Sequence, residues 1–147
     1  MTSYTLFFDG ACEPKNPGGV ASYGYALDES GQLLQKGDGV VGEGPAMTNN
    51  VAEYHGLIVG LEVASKRLRA GDELRVVGDS QLVIRQMRGE YKVSASRLVP
   101  LHRKAKELVS ALSKKGVKVS FEWVAREENE VADRLSHEAF ERHRRGR

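Results

Sequence analysis

Hydrophobic and polar positions change period several times along the chain, and each change marks an element. Residues 5–8 form a short strand-favouring run bounded by turn residues, the pattern of a strand buried on both faces. Residues 13–19 carry two prolines, an asparagine and two glycines, which is turn chemistry. Residues 20–27 alternate in part, with Tyr23 and Tyr25 on one side. Ser30-Gly31 then signals a hairpin, and residues 32–41 return as a third strand before the loop 42–46. Thr48 or Asn49 caps a long helix running to about Arg69, with Leu57, Leu61, Ala64 and Leu68 as its apolar line. Gly56 and Gly60 are poor helix formers, and they predict something packed very close to that helix. Residues 73–77 repeat the buried-strand pattern, and residues 81–87 suit a short helix. Ser94 or Ser96 opens a further helix to about Lys114, striped by Leu98, Leu101, Ala105, Leu108 and Leu112, with Pro100 in its first turn. Residues 117–124 alternate as a fifth strand. Glu128 or Asn129 opens the last helix, with Ala132, Leu135 and Ala139 facing inward.

The order β-β-β-α-β-α-α-β-α predicts an α/β fold. Its five-stranded mixed sheet has three antiparallel strands followed by two parallel ones, with helices on both faces. Sites in open sheets gather beyond the carboxyl ends of strands. Asp9 and Asp79 each follow a buried strand, where a carboxylate is costly to desolvate unless paired or holding a metal. If the two strands are parallel neighbours, their backbones lie about 5 Å apart. Extending the first helix's apolar line back one turn lands on Glu53, and Asp133 falls early in the last helix. Taken singly, each acid has an ordinary alternative: Asp9 capping the next turn, Glu53 reaching to solvent or to its helix's amides.

Composition narrows the chemistry. At 147 residues, with 40% hydrophobic and 29% charged residues, the chain fits one soluble domain. No apolar run approaches the length of a membrane span, and the N-terminus lacks the layout of a secretory signal. The single cysteine, Cys12, excludes an internal disulfide, and no Cys/His cluster suits zinc. A cytosolic (cytoplasmic) protein is expected. Net charge is only +2, yet residues 142–147 hold four arginines and a histidine without an acid. That segment reads as a basic tail after a domain of residues 1–141, either solubilising or attracting phosphate. Converging carboxylates cannot all stay ionised without a cation, and all-oxygen ligands select Mg²⁺ or Mn²⁺. Two such ions would clamp both oxygens of an in-line phosphoryl displacement. No P-loop, Gly-x-Ser-x-Gly or His-Glu-x-x-His supports an NTPase, serine hydrolase or zinc protease.

The segments Phe8-Asp9-Gly10-Ala11-Cys12, Asn16-Pro17-Gly18-Gly19, Thr48-Asn49-Asn50-Val51-Ala52-Glu53 and Gly78-Asp79-Ser80-Gln81 stand in this order. Trp123-Val124 and Asn129-Glu130-x-Ala132-Asp133 complete the set. Together they resemble the type 1 ribonuclease H family, whose members cut the RNA strand of RNA/DNA hybrids. The resemblance covers nearly the whole chain and implies the ribonuclease H-like fold. It implies Asp9, Glu53, Asp79 and Asp133 as a catalytic quartet holding two Mg²⁺ or Mn²⁺ ions. In that scheme one ion activates a water and the other stabilises the departing oxygen, leaving 5′-phosphate and 3′-hydroxyl ends. It also implies that Asn16, Asn49, Asn50 and Gln81 line the minor groove, where 2′-hydroxyls distinguish RNA from DNA. The backbone at Cys12 and Glu13 would face the RNA strand, and Thr48, at a helix N-terminus, would anchor a DNA phosphate. Asn49 and Asn50 could instead serve only as helix caps.

Two departures from the family pattern stand out. Many relatives carry a histidine in the loop before the last helix. Here Arg126 stands nearest that place, and an arginine cannot shuttle protons. It would hold a phosphate or a water, or simply lie exposed. The region 86–96 also lacks the tryptophan-rich basic handle of longer bacterial relatives and offers only Arg88, Tyr91 and Lys92 beside the nearby Arg85. A weaker grip on the hybrid is expected, as in the short archaeal-type and actinobacterial-like branch. A monomer without membrane partners is expected, and double-stranded RNA stays open as a second substrate. A non-catalytic duplex-binding module and a DNA-cutting relative of integrases and resolvases remain the competing readings.

Overall fold

The computed structural model describes residues 1–146. In chain order the elements are β1 (Ser3–Glu13), β2 (Val20–Glu29), β3 (Gln32–Glu43), α1 (Asn49–Arg67), β4 (Glu73–Gly78), α2 (Gln81–Met87), α3 (Val99–Lys115), β5 (Lys118–Trp123) and α4 (Glu130–Arg145). A short 3₁₀ turn, Arg126–Asn129, leads into α4. The sheet order is β3-β2-β1-β4-β5, with β1 at the centre. β1 runs antiparallel to β2 from Tyr4↔Glu29 to Glu13↔Val20, and parallel to β4 from Ser3↔Glu73 to Phe7↔Val77. β3 pairs antiparallel with β2, and β5 parallel with β4, so the mixed sheet matches the expectation.

β1 is longer than its apolar run predicts. Past Phe8 the residues turn polar or small, but β2 carries the antiparallel ladder on to Glu13. Asp9 therefore sits within β1 rather than at its end, two residues beyond the last parallel pair, Phe7↔Val77. β4 stops at Gly78 while β1 continues, and the halt of one neighbour opens a notch beside Asp9.

Helices cover both faces. α1 lies across β1 and β2 with α3 packed against it, whereas α4 crosses β1, β2 and β3. The two-residue alternation of β2 separates these layers. A Cβ at Gly24 would come 2.5 Å from the Ala132 carbonyl oxygen of α4, while Tyr23 projects toward Gly56 of α1. Leu6, Phe8, Leu27, Tyr54, Leu57, Leu61, Leu74 and Val76 form the fully buried centre between the sheet and α1.

Two helices begin or end away from the expected residues. α1 stops at Arg67, because Leu68 turns extended and is buried, only 1% exposed. α3 starts at Val99 with Leu98 at its cap position, later than Ser94 or Ser96 would have placed it. Leu98 is buried, and its packing outweighs the hydroxyl caps the sequence offered. Pro100 lies in the first turn of α3, as expected. At the other end of the chain α4 continues through Arg145. Residues 142–145, expected as a tail, are its final turn, and Arg147 lies outside the described residues.

Candidate active site

Glycine brings the acids together. A Cβ on Gly10 would come 2.3 Å from the Glu53 amide nitrogen and 2.4 Å from the Ala52 carbonyl carbon. One on Gly56 would come 2.8 Å from the Asp9 carbonyl oxygen. Without side chains at these two points, the start of α1 rests directly on β1, and Glu53 reaches the notch beside Asp9. Thr48 fixes that end of the helix by accepting the Val51 N–H at 3.1 Å. Asn16 accepts the Asn49 N–H at 3.1 Å, tying the 13–19 turn to the same helix start. Asp79 leaves the end of β4 next to Ser80, whose hydroxyl caps α2 by accepting the Val83 N–H at 3.2 Å.

Asp9, Glu53 and Asp79 each offer a carboxylate oxygen, and these oxygens lie within 4.8 Å of one another. Asp9 and Glu53 are both only 5% exposed. Burial first, then the charges of Asp79 and Glu53, push the Asp9 carboxyl up to about 9, against the opposing Gly10 N–H. Burial and then Asp79 push Glu53 up to about 8, while the Ser80 hydroxyl acts in the opposite direction. Among the described residues no lysine or arginine forms an ion pair with these three. Asp133 approaches from α4, adds slightly to the upward push on the Asp9 carboxyl and lines the same cleft, but stands outside the tight triad and pairs with Arg126 at 3.6 Å. An all-oxygen cluster of buried, mutually repelling acids fits a hard divalent cation.

Of the other residues singled out, Cys12, Glu13, Asn49, Asn50 and Arg126 line the cleft with the acids. Asn16, Thr48 and Gln81 lie outside that lining, the first two occupied at the start of α1. The Cys12 thiol is buried and faces the Lys15 and Met47 carbonyl oxygens.

Three further residues stand in or beside the cleft. Asn129, 1% exposed, donates its side-chain amide to the Phe8 carbonyl oxygen at 2.9 Å and to Asp79 Oδ1 at 3.4 Å. It stands at the cap position of α4 but makes no side-chain capping bond. It clamps the β1 main chain just before Asp9 to Asp79 instead. Its place in the Asn129-Glu130-x-Ala132-Asp133 segment was the available signal, although capping was the role that segment suggested. Trp123 donates its indole N–H to the Asp79 carbonyl oxygen at 3.1 Å. His137, one turn after Asp133 on α4, lines the cleft and stands 3.4 Å from Glu13. Its i+4 spacing from Asp133 was the only sequence sign of that position.

Residues 7–139 match the family described as Reverse transcriptase-like. The bifunctional protein Rv2228c of Mycobacterium tuberculosis is 40% identical over 129 residues, covering 86% of this chain and 32% of that protein. Its solved N-terminal RNase H domain superposes with a TM-score of 0.86 at 34% identity, covering 99% of both chains. Ribonuclease HI of Halobacterium salinarum is 33% identical over 135 residues, covering 92% of this chain and 63% of that protein. The crystal structure of RNase H1 from that archaeon gives a TM-score of 0.82 at 31% identity, covering 95% of this chain and 98% of the other. LC11-RNase H1, isolated from compost and solved in complex with an RNA/DNA hybrid, gives 0.76 at 32% identity, covering 95% and 97%. The chain thus spans about a third of the mycobacterial relative and under two thirds of the haloarchaeal one. No helix among the described residues is long and apolar enough to cross a membrane. With this sheet order, this acidic cleft and these relatives, the chain belongs to the type 1 ribonuclease H family.

Proposed function

We propose that the chain is a metal-dependent endonuclease that hydrolyses the RNA strand of RNA/DNA hybrids as a monomer. The observation that carries this reading is the convergence of Asp9, Glu53 and Asp79, none of them ion-paired among the described residues, in a cleft walled by Asn49 and Asn50. Their carboxylates, with Asp133 at the margin, would hold two Mg²⁺ or Mn²⁺ ions. Such ions, when bound, supply Lewis-acid activation of water and charge stabilisation for in-line displacement at phosphorus. The products would be 5′-phosphate and 3′-hydroxyl ends.

The chain's own side chains do the rest. Asn129 holds Asp79 against the strand bearing Asp9, so the two carboxylates keep their separation when the ions and substrate arrive. Asn49 and Asn50 face the minor groove, where 2′-hydroxyls mark the RNA strand. The Thr48 hydroxyl, which can donate its own proton while accepting the Val51 N–H, would with the Asn50 N–H at the start of α1 offer a phosphate site for the DNA strand. Arg126 pairs with Asp133 and would exchange that carboxylate for a substrate phosphate.

The test is cleavage of a labelled hybrid with magnesium, beside double-stranded RNA, double-stranded DNA and single-stranded RNA. The wild-type chain is expected to cut the hybrid. Asp9→Asn should lower that rate at least about a hundredfold, the scale of losing a preorganised electrostatic group. An Asp9→Asn variant as active as wild type removes the assignment, and preference for the DNA duplex would favour the integrase-like alternative.

A further inference from the structure

We propose that Trp123 and the shallow pocket beside it form a nucleotide-stacking subsite for the substrate strand as it leaves the acidic cleft. This rests on the hybrid-nuclease reading above. Trp123 is the chain's single tryptophan, and 45% of it is exposed at the carboxyl end of edge strand β5. Isolated surface hydrophobics are common and by themselves mean little. This ring differs because its orientation is fixed. The indole N–H is bonded to the main-chain oxygen of Asp79, one of the three clustered acids. In the β4–β5 register Trp123 stands opposite Gly78, which has no side chain to cover it.

The pocket next to the ring encloses about 200 Å³ and is lined by Gln81, Ile84, Arg85, Arg88, Glu90 and Trp123. Ser80 lines the acidic cleft and the next residue, Gln81, lines this pocket, so the two sites adjoin along the start of α2. Two guanidinium groups supply the charge. Arg85 lies 5.3 Å over the Tyr91 ring, and Arg88 pairs with Glu90 at 3.1 Å with both side chains substantially exposed. An exposed pair of that kind is weakly held and yields readily to a phosphate. A fixed aromatic face beside arginines is the combination that binds nucleotides with little base preference, through stacking and backbone attraction. A strand whose scissile phosphate lies at the acids would pass its neighbouring nucleotide over this ring.

The single tryptophan makes the test direct. Hybrid is titrated into the Asp9→Asn chain with magnesium, and tryptophan emission is followed. Steady-state cleavage is then measured for the otherwise wild-type chain carrying Trp123→Phe or Trp123→Ala. Emission should be quenched on binding. Trp123→Ala should raise KM by about 5- to 50-fold, the scale of one lost base–aromatic stack. Its kcat should stay within about twofold, and Trp123→Phe should retain most of the affinity. Both variants lose the bond to Asp79, but only Phe keeps a stacking face. Equal losses confined to kcat would show that the hydrogen bond matters and the ring does not, which overturns the proposal. A wild-type chain that cuts the hybrid while emission and KM stay unchanged overturns the subsite alone. A chain that neither binds nor cuts the hybrid overturns both readings.

Discussion

At the scale of single residues, Asp9 and Glu53 carry opposite demands of folding and catalysis. Burial and mutual repulsion raise their carboxyls to about 9 and about 8, well above the ordinary value near 4. The metal-free fold therefore holds protons that the unfolded chain releases. The stability this contributes is fully present below the unfolded value and is lost as pH rises through 8 and 9. Divalent ions would replace those protons, so their affinity should rise over the same range. In a chelator the melting temperature is expected to fall by about 3–10 °C between pH 6 and pH 9.5. Glu53→Gln should flatten that slope, and saturating magnesium should restore the wild-type chain at high pH while helping the variant less. Thermal melts across pH, with and without magnesium, check this, and a flat metal-free profile for the wild type would contradict it. The sequence marked both acids as anomalous. It left open whether each capped a turn or a helix, because only their approach through space removes those alternatives.

Among the elements, the contact of α1 with β1 decides whether the site exists. A side chain at Gly10 meets main-chain atoms of Ala52 and Glu53, which cannot swing aside, whereas the three atoms nearest one at Gly60 all belong to the Leu6 side chain. Gly10→Ala should therefore force α1 off the strand, costing about 3 kcal/mol and most of the activity. Gly60→Ala should cost less and leave cleavage largely intact. Urea unfolding and a hybrid assay on the two variants separate these outcomes; equal destabilisation would mean that the helix can shift freely. The closeness of this contact was legible in the sequence from Gly56 and Gly60 on a helix whose apolar stripe ran back to Glu53. The start of α3 was not. Ser94 and Ser96 are good caps locally, but Leu98 is fixed by a core built from distant strands. The continuation of β1 past Asp9 was equally hidden, since its ladder there comes from β2 and not from its own residues.

Across the whole molecule, the distribution of charge limits how tightly a nucleic acid is held. The basic end read from the sequence as a tail is largely engaged within the fold. Arg142 pairs with Asp38, His143 stands 3.7 Å from Glu43, and Arg144 lies 2.6 Å from Glu141. Composition reveals the arginines, but their acids come from β3 and from the preceding turn of α4, and the pairing with β3 depends on the tertiary fold. The cations placed to meet phosphates include Arg126 in the cleft, Arg85 and Arg88 in the adjoining pocket and Lys92 beyond it, with Arg126 and Arg88 exchanging an acid partner for phosphate. About four contacts of this kind predict that log affinity for a hybrid falls with log salt at a slope near −4. Arg142→Ala should leave that slope unchanged, because its charge is already spent on Asp38, and it should lower stability by about 1 kcal/mol or less. Arg88→Ala should reduce the slope by about one. Binding isotherms from low to physiological salt decide the matter. A slope that shrinks on removing Arg142 would mean that the end of α4 releases Asp38 to grip the substrate, and the short chain would then carry its own replacement for the absent handle.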